Sequence, residues 1–401
     1  MKNEKCFRYI LSVSIIVFWV LLFFNPNGTQ KYIFFAGTHD LFADFFNCQR
    51  YIAEWDPYFN DINGFGEKCY FPLAYLILGL FNGFADYANL SLQDCYSCTE
   101  AIMSCVLFSL FSCLLYFHSL KCLIPKFSFY DSLLVVFSSL FLFTIERGNL
   151  TLFACAGLCY FLAFKDSENR YLKYCSLFAL CFASILKVYP ALFGVLLLKE
   201  KRISDIATCV IITLVLAFVP FFFFEREVVE NFSQLISNVK VNTSSYCPDR
   251  LYPRFGLAST LYPFLKVLHL EDRLMHGMLQ CMLFITYALS LLSILIVLFS
   301  KNKWNTLILL TFTLIMLPAN SALYCGMYIV PLVWLYLYEN KKKGKWYLLL
   351  FFALLCPIQL VVKDVSFNYL ISNFSIAFAW IFIIVKEIIS CIRNTPSTAA
   401  L

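Results

Sequence analysis

The sequence predicts an all-α polytopic membrane protein with about twelve transmembrane helices, two of them shortened. Three observations carry that expectation. Of the 401 residues, 61% are apolar and 14% charged, against roughly a quarter charged in a soluble domain. Apolar runs recur along the whole chain. Lys and Arg gather in short clusters between those runs, the pattern of loops retained in the cytoplasm. The same clustering argues against nucleic acid as a partner, despite a net charge of +6.

A span needs ~20 apolar residues. The runs that meet or approach this lie at 7–24, 100–120, 130–145, 149–164, 173–187, 189–199, 205–224, 275–299, 304–318, 321–338, 345–363 and 369–391. No small-residue cleavage site follows the first run, so it reads as a retained span. With the N-terminus (Lys2, Lys5, Arg8) in the cytoplasm, the clusters at Lys121, Lys165, Lys199, Lys301 and Lys341 all fall inside. Eighteen basic residues are then inside and twelve outside, the latter mostly in two long loops.

The run Tyr70–Asp86 is short of a crossing. Counting it as a span would also misplace the basic clusters that follow, up to Arg202. It is expected to lie in the outer interface. The first external loop then covers residues 25–99, with eight acidic and three basic residues. A second, amphipathic helix is expected there from Asp40 to Trp55, with Asp40 and Asp44 at i and i+4 on one face. The segments 173–187 and 189–199 are short and basic at both far ends. They read as a hairpin of shortened helices with Lys187-Val-Tyr-Pro190 at its outer apex, where broken backbone is tolerated beside a cavity. Glu146-Arg147-Gly148-Asn149 falls at an outer turn. The chain thus divides into a membrane module (1–224), a second external loop (225–274) and a C-terminal bundle with a short tail (275–401).

Most of the 18 Cys read as small apolar residues inside spans. Cys48, Cys69, Cys95, Cys98 and Cys247 fall in external loops, with no pairing indicated. Four His (His39, His118, His269, His276) and no paired Cys-x-x-Cys motif make a metal site unexpected. There is no nucleotide-binding loop, dinucleotide fingerprint or Ser-His-Asp arrangement.

The residues that stand out chemically are external. Lys187 is flanked by apolar runs, and such a lysine marks either a pathway, an anion partner or a snorkelling helix end. Arg147 and Asn149 offer cation and amide beside a glycine turn. Asn149 also begins a glycosylation sequon, which lies too close to the membrane to be used. Arg250 and Arg254 flank Tyr252-Pro253 and suit an anionic leaving group or headgroups. Of the loop carboxylates, most are expected to be solvated, and Asp56-Pro-Tyr58 reads locally as a turn.

Taken in order, Ala43-Asp44-Phe-Phe, Asp56-Pro-Tyr58, Tyr70-Phe-Pro72-Leu, Arg147-Gly-Asn149-Leu and Leu186-Lys187-Val-Tyr-Pro190 resemble the GT-C superfamily of membrane glycosyltransferases. The nearest likeness is to glycosyltransferase family 87, the polyprenyl-phosphate-mannose-dependent α-1,2-mannosyltransferases. The matching motifs cover about residues 40–200. The resemblance implies a GT-C-type fold and a polyprenyl-phosphate sugar donor. It also implies a glycan or glycolipid acceptor among membrane lipids, and the charge count places the site on the outer side, of a bacterial plasma membrane in the first instance or of an endoplasmic-reticulum membrane with the lumen outside. It implies Asp44 as general base, with Asp40 as the reserve. Lys187, Arg147, Arg250 and Arg254 would hold the donor phosphate, and Asp56, Tyr58, Asn149 and Tyr189 would contact substrate. No cofactor or metal is required. The Arg147-Gly148-Asn149 turn departs from the Gly-Gln-x-Asn of many members.

Two other classes stay open on the sequence. A transporter or lipid flippase predicts inverted repeats and midplane charges, and neither is evident. A polysaccharide polymerase or ligase expects Arg and His in a large external loop, and the second loop has the Arg, with His269 and His276 near its end.

Overall fold

The computed structural model describes residues 2–26, 28–32, 41–244, 254–269, 272–318, 321–339, 346–358, 360–362 and 365–394. It is all-α apart from two pairs of two-residue strands. The helices are α1 (Lys2–Phe24), α2 (Ala43–Ile52), α3 (Pro72–Gly79), α4 (Leu92–Cys95), α5 (Thr99–Leu123), α6 (Phe129–Val136), α7 (Ser139–Arg147), α8 (Thr151–Phe164) and α9 (Arg170–Leu186). They continue as α10 (Val195–Lys199), α11 (Ile203–Phe218), α12 (Val228–Ser244), α13 (Leu257–Val267), α14 (Asp272–Phe299), α15 (Lys303–Met316), α16 (Val330–Glu339), α17 (Trp346–Leu355) and α18 (Phe367–Asn394). Strand β1 (Arg254–Phe255) pairs antiparallel with β2 (Ser321–Ala322), Arg254 opposite Ala322. A second pair joins β3 (Val361–Val362) to β4 (Val365–Ser366).

Helical segments stand at all twelve predicted runs. Among the described residues, however, only five are long and apolar enough to cross a membrane alone: Glu4–Phe24, Thr99–Leu123, Ile203–Phe223, Arg273–Phe299 and Leu370–Ser390. The expected span 130–145 is not one rod. It is the pair α6–α7, bent by 64°, which adds a sixth crossing if counted together. The break comes where Ser138 turns extended (φ −78°, ψ 155°) to start α7. Several other runs form short helices. The 14 residues of α8 reach about 21 Å at 1.5 Å per residue, short of a ~30 Å hydrocarbon core. Composition registers an apolar run but not where its helix stops, which is why twelve runs do not translate into twelve full crossings. The protein is a multi-pass membrane protein.

Local sequence accounts for the helix ends. Ser91 with Asp94, and Ser128 with Asp131, form capping boxes that open α4 and α6. Asn169 and Asn302 cap α9 and α15 through their side-chain oxygens. Helices α8 and α9 pack closely because Gly157 faces Ala179: a Cβ there would lie 2.6 Å from the Ala179 carbonyl oxygen. Phe108 of α5 stacks on Phe153 of α8. At one end of this layer Lys165, Lys173, Glu200, Arg202 and Asp205 interlock as ion pairs, with Arg202 Nε 2.6 Å from Asp205. These are the basic residues expected at the cytoplasmic face.

The first loop forms short helices where the sequence predicted them. The Tyr70–Asp86 run forms only α3 and a 3₁₀ turn at Asn82–Phe84. The amphipathic helix α2 begins at Ala43. Asp40 lies outside the described residues, as do Arg250 and Cys247. Cys48, Cys69, Cys95 and Cys98 are free thiols.

Candidate active site

Helix α2 is seated by the turn that follows α7. Gly148 ends α7 in the left-handed region (φ 62°). A Cβ on it would sit 2.8 Å from the Cβ of Phe45. The Phe42 amide donates to the Glu146 carbonyl at 2.6 Å. Glycine therefore lets the two segments meet at van der Waals distance in a conformation other residues avoid.

That contact brings Asp44, in the first turn of α2, to Arg147 and Asn149. Arg147 donates to Asp44 Oδ1 at 2.5 Å and Asn149 Nδ2 donates to Oδ2 at 2.6 Å. Asn149 cannot turn its amide over without loss, because its Oδ1 accepts from the Thr151 amide (3.0 Å) and hydroxyl (2.7 Å). The Asp44 and Arg147 side chains keep 22% and 16% of their exposure, so the pair is shielded but not sealed. Asn149 is buried.

Lys187 sits where α9 ends. It turns extended (φ −146°, ψ 111°), and Pro190 then opens the 3₁₀ turn Tyr189–Gly194, since proline cannot continue the helical ladder. The ammonium donates to the Tyr70 hydroxyl at 2.9 Å. It also lies 4.6 Å from the Tyr70 ring centroid and 5.2 Å from that of Tyr324, a cation held between two aromatic faces. Burial, then the charge of Asp44, pushes the Tyr70 phenol well above its ordinary pKa, so it keeps its proton. Burial does the same to the Cys48 thiol, with Asp44 adding to it, which leaves Cys48 inert as a nucleophile.

These groups face one cavity of about 780 Å³. Asp44, Arg147, Lys187, Tyr189 and Arg254 line it, five of the residues singled out from sequence. Asn149 joins through Asp44. Three of the four expected substrate contacts do not line it: Asn149 is buried behind Asp44, and Asp56 and Tyr58 lie elsewhere. Asp56 is paired with Arg226 at 2.8 Å, tying the first loop to the start of α12. Tyr58 is fully buried against Tyr75, Phe221 and Phe224. Its hydroxyl donates to the Tyr70 carbonyl at 2.9 Å. Tyr58 thus supports Tyr70 from behind and does not reach a ligand.

Sequence reasoning missed Tyr324, which lies in an uncharged apolar run. The β1–β2 pair delivers it: β1 presents Arg254, and β2 ends just before Leu323 and Tyr324. Asn373 of α18 locks β1, donating to the Arg254 carbonyl (2.7 Å) and accepting from the Gly256 amide (3.1 Å). The three sequence divisions at 224 and 274 therefore all contribute to one cavity. Among the described residues no cluster of His, Cys, Asp and Glu is arranged to hold a metal.

The Asp44 carboxylate of the first loop, three cations (Arg147, Lys187 and Arg254) and the aromatic side chains of Tyr70 and Tyr324 thus meet at one cavity. The profile of glycosyltransferase family 87 matches residues 96–319. The chain belongs to glycosyltransferase family 87. It is accordingly a membrane glycosyltransferase with a sugar donor and an acceptor. The family match covers Arg147, Asn149, Lys187, Tyr189 and Arg254, while Asp44 and Tyr70 lie before it and join the site through the fold. No curated protein and no solved structure gives a significant match.

Proposed function

We propose that this family 87 protein transfers a hexose, mannose in the first instance, from a polyprenyl-phosphate donor to a glycan or glycolipid acceptor. In this reading the fold is GT-C-type and the site opens on the outer side of a bacterial plasma membrane. The observation that carries the reading is the convergence of Asp44, Arg147 and Lys187 on one cavity.

The step balances as an inverting displacement. The acceptor hydroxyl oxygen attacks C1 of the donor sugar and forms the new glycosidic bond. The bond from C1 to the phosphate oxygen breaks, and the lipid phosphate leaves with that electron pair. Asp44 accepts the hydroxyl proton, for which it must come within hydrogen-bond reach. Lys187 supplies a positive charge to the phosphate, and Arg147 shares its guanidinium between Asp44 and the phosphate. Arg254, and Arg250 from the same loop, add further positive charge. Because these cations neutralise a monoester leaving group, the proposed step is metal-independent.

The test is transfer from synthetic polyprenyl-phosphate mannose by purified protein in detergent. Asp44→Asn is expected to lower turnover by roughly 10²–10⁴-fold, the usual contribution of a general base, while the donor still binds. Normal turnover in Asp44→Asn would remove Asp44 from the base role. Absence of donor consumption by the wild type would overturn the donor assignment.

A further inference from the structure

The cavity is longer than the reacting centre needs, and its far wall is chemically different. Asp44, Asn47, Cys48 and Tyr51 line it along one face of α2, at i, i+3, i+4 and i+7. Tyr51 stands seven residues beyond Asp44, about 10 Å along the helix axis. A pyranose ring with its linkage spans roughly half of that.

Around Tyr51 the wall is built from Asn63, Glu67 and Asn242. Asn63 donates to the Tyr51 hydroxyl at 3.1 Å, and Asn242 of α12 donates to the Gly66 carbonyl at 2.8 Å. The loop between them is pinned from beneath. Lys68 is fully buried, donates to the carbonyls of Asn60 and Gly64, and lies 5.3 Å from the Tyr51 ring centroid. Gly66 packs so closely that a Cβ would fall 3.1 Å from Val241 and 3.2 Å from the Asn242 amide. Asn63 and Gly64 both take positive φ, 55° and 77°.

The groups left facing the cavity are a carboxylate, two amide oxygens and a phenolic hydroxyl. The Glu67 carboxylate has no hydrogen bond or ion pair among the described residues. Of the cations near Tyr51, Lys68 donates to backbone carbonyls and Arg50 to the Leu90 carbonyl. The Glu67 carboxylate disfavours a phosphate there. The wall suits a polyol, whose hydroxyls both donate and accept.

We infer that Tyr51, Asn63, Glu67 and Asn242 form a subsite for the second sugar of the acceptor, so that the acceptor is an oligosaccharide or its glycolipid. This rests on the transferase reading for the role of Asp44. The subsite fixes the register: the sugar bearing the reacting hydroxyl sits at Asp44, and the preceding sugar lies at Glu67.

The experiment is calorimetric titration of the full-length protein in detergent with octyl glycosides of one, two and three sugars, in mannose and glucose series. In at least one series, the second sugar is expected to tighten binding at least ~10-fold, the scale of one or two hydrogen bonds to a charged group, and the third to add little. Glu67→Gln and Glu67→Ala alter an exposed, unbonded side chain and are expected to erase most of that gain. Binding that is absent or independent of length in both series, or a gain untouched by both variants, overturns the subsite. Donor consumption is followed separately with the same acceptors. Donor use with length-independent binding sinks the subsite alone. Length-dependent binding without donor use sinks the polyprenyl-phosphate reading and leaves a glycan site.

Discussion

Arg147 and Asp44 stand 103 residues apart in the chain and 2.5 Å apart in the fold. Asn149 holds the other carboxylate oxygen at 2.6 Å. One carboxylate thus has both oxygens fixed by a single three-residue turn, and the arrangement has measurable consequences.

Asn149→Ala removes a charge-assisted hydrogen bond worth about 1.5–3 kcal/mol. It leaves Asp44 free to rotate about the Arg147 contact. The expected outcome is a kcat lower by roughly 10–100-fold with little change in donor KM, read from steady-state kinetics. Arg147→Met is expected to raise donor KM as well, because Arg147 also lines the cavity proposed to take the phosphate.

Lys187→Met is expected to lower kcat/KM for the donor by at least ~10²-fold, since it removes the half-buried cation proposed to meet the leaving phosphate. Tyr324→Leu removes one face of its aromatic enclosure, an effect of about 0.5–2 kcal/mol, or roughly 2- to 30-fold in kcat/KM. Tyr324→Phe keeps the ring and is expected to restore most of it. Comparing the three variants in one assay separates the cation from its positioning.

Gly148→Ala is expected to disable the enzyme without touching a polar group. The left-handed conformation alone costs an alanine about 1–2 kcal/mol, and the new methyl meets Phe45 at 2.8 Å. Thermal unfolding in detergent should fall, and residual activity should fall further than stability, because α2 is pushed off the turn that orients Asp44.

These residues differ in how far the sequence disclosed them. Lys187 is a charge against apolar neighbours, and charge in that setting is costly enough to stand out, whereas Asp44 was one carboxylate among several and only its likeness to the family's motif set it apart. Asp56 and Tyr58 stood out through the same likeness, and there the fold uses them as a tie to Arg226 and a prop under Tyr70. Polarity alone does not distinguish a side chain facing a cavity from one facing another loop. Tyr324 carried no signal, because its partner Lys187 lies 137 residues earlier and only the β1–β2 pair brings them together. The helical character of each run was legible from hydropathy. The bend at Ser138 and the early ends of the short helices depend on tertiary packing and were not.

The buried ammonium of Lys68 predicts a pH dependence. Burial lowers its pKa from the ordinary value, with Asp61 opposing. Between that lowered value and about 10.4 the unfolded chain binds more protons than the folded one. The Lys68 contribution to stability therefore rises with pH through that window. The difference in unfolding temperature between wild type and Lys68→Met should shift toward the wild type as pH climbs through it. A difference that moves the other way would show that the ammonium is not desolvated in the loop.

The two-residue pair β1–β2 has a consequence for how the enzyme comes into being. A nascent chain that has emerged through residue 299 already contains Asp44, Arg147, Lys187 and Arg254, but not Ala322 and Tyr324, which complete the wall, nor Asn373, which locks β1. The cavity is therefore finished only when the last membrane segments have been inserted. Synthesis order therefore sets when the site is complete: a chain that stops short of these segments carries the polar groups without their enclosure.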